Sequence, residues 1–361
     1  MNKKSVAVLL FLPTLAWANV EVSSSASNVA EHRAQVYHTP RERREAGLGT
    51  KLTDRLTLSG LARFEIASFD NNFRNQSPNA GRDEALSAVQ LGFKLEMSEQ
   101  VESEIILDFD DSKTDSALDE AFIEIKSGRW GLSAGTQTLP FGAYYSHFIS
   151  GPLLEFGETR KTALLVGYDY NDVVEFSVFA YKGDARKRFT DDRLRDWAAA
   201  VEAKFLGNRL RFGASYIADL ADSDAHLLKD FDNQYRRRVS AWSAYAVVRT
   251  GIGEISIEAL QAISKFHELA PSVDRPRAWN FEIAAYPTQT WQIAARVERS
   301  DELSNQPERR YGIAATWLVF EAVTMTIEAL RSDYKRGFVF DDNGNEIQRQ
   351  THFAIELLLE F

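Results

Sequence analysis

Hydrophobic and polar residues alternate with a period of two along most of the chain after residue 50. The clearest run is RLTLSGLARFEIA (55–67), in which Leu56, Leu58, Ala62, Phe64 and Ile66 share one parity and Thr57, Ser59, Arg63 and Glu65 the other. Such alternation predicts a strand with one greasy face and one wet face. The pattern returns at 88–97, 101–110, 119–126, 130–138, 162–170, 173–182, 196–205, 209–218, 239–249, 253–263, 277–286, 290–299, 309–318, 322–333 and 351–361. That makes about sixteen segments, each near the length a tilted membrane strand needs.

The connections alternate between short and long. The short ones are SEQ, SGRW, ND, LGN, TGIG, PTQ and VFEA, rich in turn residues. The long ones cover roughly 67–87, 111–118, 139–161, 183–195, 219–238, 264–276, 300–308 and 334–350, and most are charged and polar. Tight turns on one side and long loops on the other are the pattern of an outer-membrane barrel. The expected fold is therefore all-β: a transmembrane antiparallel β-barrel of about sixteen strands, spanning residues 51–361. An even strand count returns both ends of the barrel to the periplasmic side.

Charge follows the same parity. The series Val323, Met325, Ile327, Ala329 and Trp291, Ile293, Ala295, Val297 carry none, which suits lipid contact. The opposite parity holds Arg63, Lys94, Glu120, Glu124, Arg211 and Arg296, expected to face an aqueous lumen. Tyr170, Phe205, Trp291 and Phe361 at one end, and Trp197, Tyr216, Trp279 and Tyr311 at the other, are expected to form two interfacial girdles. Phe361 would seat the closing strand in the periplasmic one.

The N-terminus supplies a compartment. MNKKSVAVLLFLPTLAWA has two lysines, a short apolar run and the small-x-small ending Ala16-Trp17-Ala18, the pattern of a secretory signal peptide cleaved after Ala18. Residues 19–50 would then be a periplasmic segment, in which AEHRAQVYHTPRERREAG is expected to form one charged helix. The net charge of −10 falls to about −12 without the leader's two lysines, so the chain has no general attraction for nucleic acid. It has no cysteine, which excludes a disulfide framework and thiolate chemistry.

The connection TLPFGAYYSHFISGPLLEFGETRK (138–161) departs from the other loops because it contains apolar stretches. It could pack on the barrel rim, but the favoured placement is inside the lumen, with its apolar side on the wall. On that reading Pro140, Phe141 and Gly142 shape a constriction, and His147, Glu155, Glu158, Arg160 and Lys161 face the passage.

The run DEAFIEI (119–125) through AGTQTLPFGAYYSHFISGPLLEFGETRKTALLVGY (134–168) resembles the LbtU-type siderophore porins. The matching features are the DEAF strand, the AGxQxxPFG pattern and GPLLEFGETR leading into a strand. They cover about a seventh of the chain. The resemblance implies an outer-membrane porin that helps import ferric siderophores. Members often carry a longer, coiled-coil-like N-terminal region than residues 19–50 provide. A general porin, a phosphate- or dicarboxylate-type anion porin, and a structural or adhesive barrel stay open as alternatives.

Other chemistry is sparse. His32, His38, His147, His226, His267 and His352 are scattered without metal-ligand spacing. Ser146-His147 lacks a third orienting group, so no catalytic role, metal or cofactor is assigned. The expected partners are outer-membrane lipid, the barrel-assembly machinery and a ferric siderophore or other small polar solute. Monomer and homotrimer are both compatible.

Overall fold

The computed structural model describes residues 49–74, 80–110, 118–187, 196–228, 234–235, 237–320, 322–341 and 344–360. The signal peptide, nearly all of the N-terminal segment and Phe361 lie outside the described residues.

Sixteen long strands alternate direction: β1 (Leu56–Phe73), β2 (Ala80–Ser98), β3 (Val101–Asp110), β4 (Leu118–Ser127), β5 (Trp130–Thr138), β6 (Arg160–Tyr170), β7 (Val174–Tyr181) and β8 (Asp196–Phe205). They continue with β9 (Leu210–Ile217), β10 (Ala241–Thr250), β11 (Gly253–Ala262), β12 (Arg277–Thr288), β13 (Trp291–Asp301), β14 (Arg309–Phe320), β15 (Val323–Asp333) and β16 (Ile347–Glu360). Each pairs antiparallel with its sequence neighbours, and β16 returns to β1 from Ile347↔Phe73 to Glu360↔Leu61. The sheet is a closed barrel, so each of these sixteen strands has a partner on both sides.

The faces separate as the alternation requires. On β13, Trp291, Ile293, Ala295 and Val297 are exposed on the outside, while Gln292, Ala294, Arg296 and Glu298 are buried inside. On β16, Phe353, Ile355, Leu357 and Leu359 point out and His352, Ala354, Glu356 and Leu358 point in. Outward rings cluster near strand ends: Trp197 with Tyr216 at 5.0 Å, and Trp291 stacked on Trp317 at 5.7 Å. Hairpin turns at the Trp291 end are tight, with Asn171, Asp172 and Asn208 in the left-handed region that short polar side chains tolerate.

Two expected boundaries move. The connection placed at 67–87 shrinks to 74–79, because β1 and β2 continue as far as the pair Asn71↔Ala80. Ladder hydrogen bonds do not need an apolar outer parity, so the strands continue beyond the apolar outer band with polar residues such as Asp70, Asn71 and Asn72. For the same reason β16 begins at Ile347 and not at 351.

Candidate functional site

The connection between β5 and β6 closes at its neck, where the Leu139 N–H donates to the Thr159 carbonyl at 2.8 Å. Between those points the chain crosses to the inward face of strands far along the sequence. Its backbone N–H groups have no ladder to join, so carboxylates on the wall receive them. Ala143 and Tyr144 donate to the two oxygens of Glu258 on β11 (2.7 and 2.8 Å). His147 donates to Glu282 on β12 (2.7 Å), Leu153 to Glu298 on β13 (2.6 Å) and Ile149 to Glu328 on β15 (2.8 Å). Hydrogen bonds to ionised acceptors are the stronger kind, and here each also satisfies a backbone group that the barrel interior would otherwise leave unpaired.

The loop's carbonyls meet cations. Arg296 on β13 is fully buried; its Nη1 donates to the Ser150 carbonyl at 2.9 Å and its Nε to Glu282 at 2.8 Å. Its guanidinium also lies over the Phe148 ring, 4.2 Å from the centroid. Arg310 on β14 donates to the Gly151 carbonyl at 3.2 Å. The result is an alternating set of wall acids and arginines that matches the polarity of the loop backbone.

The apolar side of the loop supplies the rest. Leu139, Phe141, Leu153, Leu154 and Phe156 pack with inward wall residues such as Ala163, Phe179, Ile217 and Leu260. Leu220, Val239 and Phe266 from the longer connections join the same cluster. Full burial of a side chain such as Phe141 or Leu154 is worth about 1.5–3 kcal/mol. Residues Leu153–Gly157 form a short 3₁₀ turn within this cluster. Gly142 has a φ of +88°, and a Cβ there would overlap the Tyr144 ring.

The expected site residues divide by position. Phe141 lies in the apolar cluster, and Pro140 and Gly142 flank it half-buried. His147 is turned to the wall, not to the passage: Nδ1 lies 2.9 Å from Glu282 and Nε2 3.2 Å from Glu254. Burial pulls its pKa down, but the hydrogen bonds and charges of the two glutamates outweigh that and raise it above the usual value. Glu155 is exposed, and desolvation by its surroundings together with the Glu158 charge pushes its carboxyl up to about 7. Glu158 is half-buried and raised by burial, with Arg160 pulling the other way. Arg160 sits on the outward parity at the rim, ion-paired with Asp119. Lys161 is buried and pairs with Asp184 (2.9 Å) and Asp224 (3.3 Å).

Of the expected lumen residues, Arg63, Lys94 and Glu124 face inward and keep water contact. Glu120 is enclosed, accepting from the Thr138 N–H and hydroxyl at 2.9 and 2.7 Å. Arg211 is buried against Glu202 at 2.9 Å, and Arg296 is consumed by the loop. Ser146 and His147 have different partners: the Ser146 hydroxyl meets Arg296 and accepts from the Phe148 N–H. Sequence reading missed Glu254, Glu258, Glu282, Glu328 and Arg310. Their signal was present, since each lies on the inward parity of its strand.

This barrel resembles solved structures closely in shape and weakly in sequence. The outer membrane channel DcaP of Acinetobacter baumannii aligns over 87% of this chain and 100% of that one, with a TM-score of 0.59 and 14% identity. An anion-selective porin from Comamonas acidovorans aligns over 85% and 99%, with a TM-score of 0.61 and 9% identity. The fold is a porin barrel. A mutant of the Rh. blastica porin gives a TM-score of 0.54 at 12% identity, over 85% of this chain and all of that one. No family model matches the sequence, and no curated protein does.

Proposed function

We propose that this chain is an outer-membrane porin that lets small polar solutes diffuse through a passage narrowed by residues 139–159. The observation that carries the reading is the anchoring of that loop by Glu258, Glu282, Glu298 and Glu328 inside a closed sixteen-stranded barrel. A barrel of that size is wide enough for an aqueous channel unless something enters it. The outward apolar face takes lipid, and the leader and barrel-assembly machinery deliver the chain to the outer membrane with its tight turns periplasmic. The assembled form is a monomer or a homotrimer.

The loop lies over β9 to β15 and leaves the inward faces of β1 to β4 with water contact. Among the described side chains there, Glu65, Glu96, Glu102, Glu104 and Glu124 outnumber Arg63, Lys94 and Lys126. Lys94 and Lys126 both pair with Glu102, at 3.1 and 3.0 Å, so the surplus is acidic. Such a wall concentrates cations. Purified protein in a planar bilayer under a potassium chloride gradient should show steady steps and a reversal potential of cation sign. A chloride preference would support the anion-type alternative, and no steady conductance would support a structural barrel.

The ferric-siderophore reading is kept as a second one, for a specific reason. The segment that resembles LbtU-type siderophore porins includes the whole loop that enters the lumen. Growth of a deletion strain under iron limitation, with its own siderophore as sole source, tests it. Uptake equal to the parent strain removes that reading and leaves the porin intact.

A further inference from the structure

The outer ends of β8 and β9 carry a feature separate from the passage. Asp196 opens β8, and Asp219 and Asp222 follow β9 across the short turn Leu220–Asp222. All three are buried, Asp219 at 0% and Asp222 at 1% exposure. One carboxylate oxygen from each lies within 4.8 Å of the others. Among the described residues Arg238 pairs with two of them, 2.7 Å from Asp196 and 3.9 Å from Asp219. Three carboxylates gathered out of water repel one another, which is costly unless something neutralises them.

A second observation points to a ligand. Asp222 Oδ1 accepts the Ala185 N–H at 2.9 Å, yet Asp222 Oδ2 is fully enclosed and has no hydrogen-bond partner. The adjacent Ser223 hydroxyl is enclosed and unpartnered as well. Gly183 faces this carboxylate with no side chain, and a Cβ there would overlap it. Lys161 does not fill the role, because its ammonium is held by Asp184 and Asp224.

We propose that Asp196, Asp219 and Asp222 bind a divalent cation of the hard, oxygen-seeking class, calcium before magnesium. Oxygen donors without sulfur or imidazole select such ions, and calcium tolerates an irregular set better than magnesium does. The ion would lock the 219–223 turn and the 183–185 segment to the rim. It would also brace the neck of the inward loop, because the Asp224 N–H donates to the Glu158 carbonyl at 2.8 Å and Asp224 accepts the Arg160 N–H at 3.0 Å. Extracellular calcium modules bind at about 10⁻⁴–10⁻³ M, and the outer face of such a barrel meets that supply.

The test uses the folded full-length barrel in detergent, stripped with chelator and titrated with calcium chloride by calorimetry, alongside terbium luminescence. The expected result is one ion per chain, weaker binding of magnesium, and a rise in the unfolding temperature with calcium. Asp222→Asn should abolish binding while still migrating as a folded barrel on gels. Should that variant fail to fold, Arg238→Gln serves instead: removing the competing cation should tighten calcium binding several-fold. No calcium heat and no shift in unfolding temperature for the parent would overturn the proposal. So would terbium binding unchanged in Asp222→Asn, because the ion would then sit elsewhere.

Discussion

His147 meets Glu282 twice: its backbone N–H and its ring Nδ1 both reach the same carboxylate oxygen, at 2.7 and 2.9 Å. The far ring nitrogen is 3.2 Å from Glu254 on the neighbouring strand, so one side chain of the loop joins two strands of the wall. With both contacts made, the ring is held best when it carries a proton.

That arrangement predicts a pH dependence of defined sign. The folded pKa of His147 is raised, so its contribution is fully present below the unfolded value of about 6.5 and fades as pH climbs through the folded one. Glu155, pushed up to about 7, acts in the same direction, because the folded state holds its proton longer than the unfolded chain does. Unfolding temperatures of the detergent-folded barrel should fall between mildly acidic and mildly alkaline pH. His147→Gln should flatten that slope, and an unchanged slope would show that His147 does not anchor the loop.

Removing one wall acceptor should loosen the loop without opening the barrel. Glu328→Leu strands the Ile149 and Ser150 N–H groups and the Ser150 hydroxyl, which now donates to Glu328 at 2.5 Å. Each orphaned group costs about 1–3 kcal/mol. Single-channel records should show larger or fluctuating steps, whereas Glu328→Gln, which keeps an acceptor, should lie close to the parent. Equal records for both variants and the parent would count against carboxylate anchoring.

Phe141→Ala should be the most damaging apolar change in the loop. Its ring is wholly enclosed in the cluster with Leu154, Phe179 and Leu260. Truncations of this type cost about 3–5 kcal/mol. The loss should appear as protease sensitivity near residue 141 while heat-modifiable migration of the barrel persists. Resistance equal to the parent would mean that the loop is held by its hydrogen bonds alone.

Excising 143–158 with a Gly-Ser bridge should raise conductance markedly, whereas shortening 334–346 should not. The first removes chain that crosses to the far wall, and the second removes chain at the outer end of β15 and β16. Two deletions with the same conductance would end the constriction reading.

Gly135 on β5 offers a local test of assembly. Its φ is +144°, and a Cβ would run into the Ala121 carbonyl and Phe122 on β4. Gly135→Val should therefore lower the yield of folded barrel, because left-handed strain of this kind costs about 1–3 kcal/mol before any overlap. A normal yield would show that β4 and β5 can separate to make room.

The strands were legible because two independent signals coincide along the chain. Alternation fixes which residues face lipid, and turn residues such as Asn171-Asp172 mark where strands reverse. Strand lengths were less legible at the outer rim, where Asn71 pairs with Ala80 although neither residue signals a strand. The loop's entry into the barrel was signalled by its apolar residues, but its destination was not. Ala143 meets Glu258 and Ser150 meets Glu328, 115 and 178 positions later, and no local pattern carries that distance. Arg160 and Lys161 looked available for a solute because Asp119, Asp184 and Asp224 are remote in sequence and close only after folding.

The loop's dependence on later strands has a consequence in time. Residues 139–159 leave the ribosome before Glu258, Glu282, Glu298 and Glu328 have been made. Until those strands are in place, the loop amides can bond only to water. The loop can take its place only after the C-terminal half has joined the sheet, so closing the cylinder and anchoring the loop belong to one late event. A chain cut after β9 would carry every residue of the loop and none of those four glutamates.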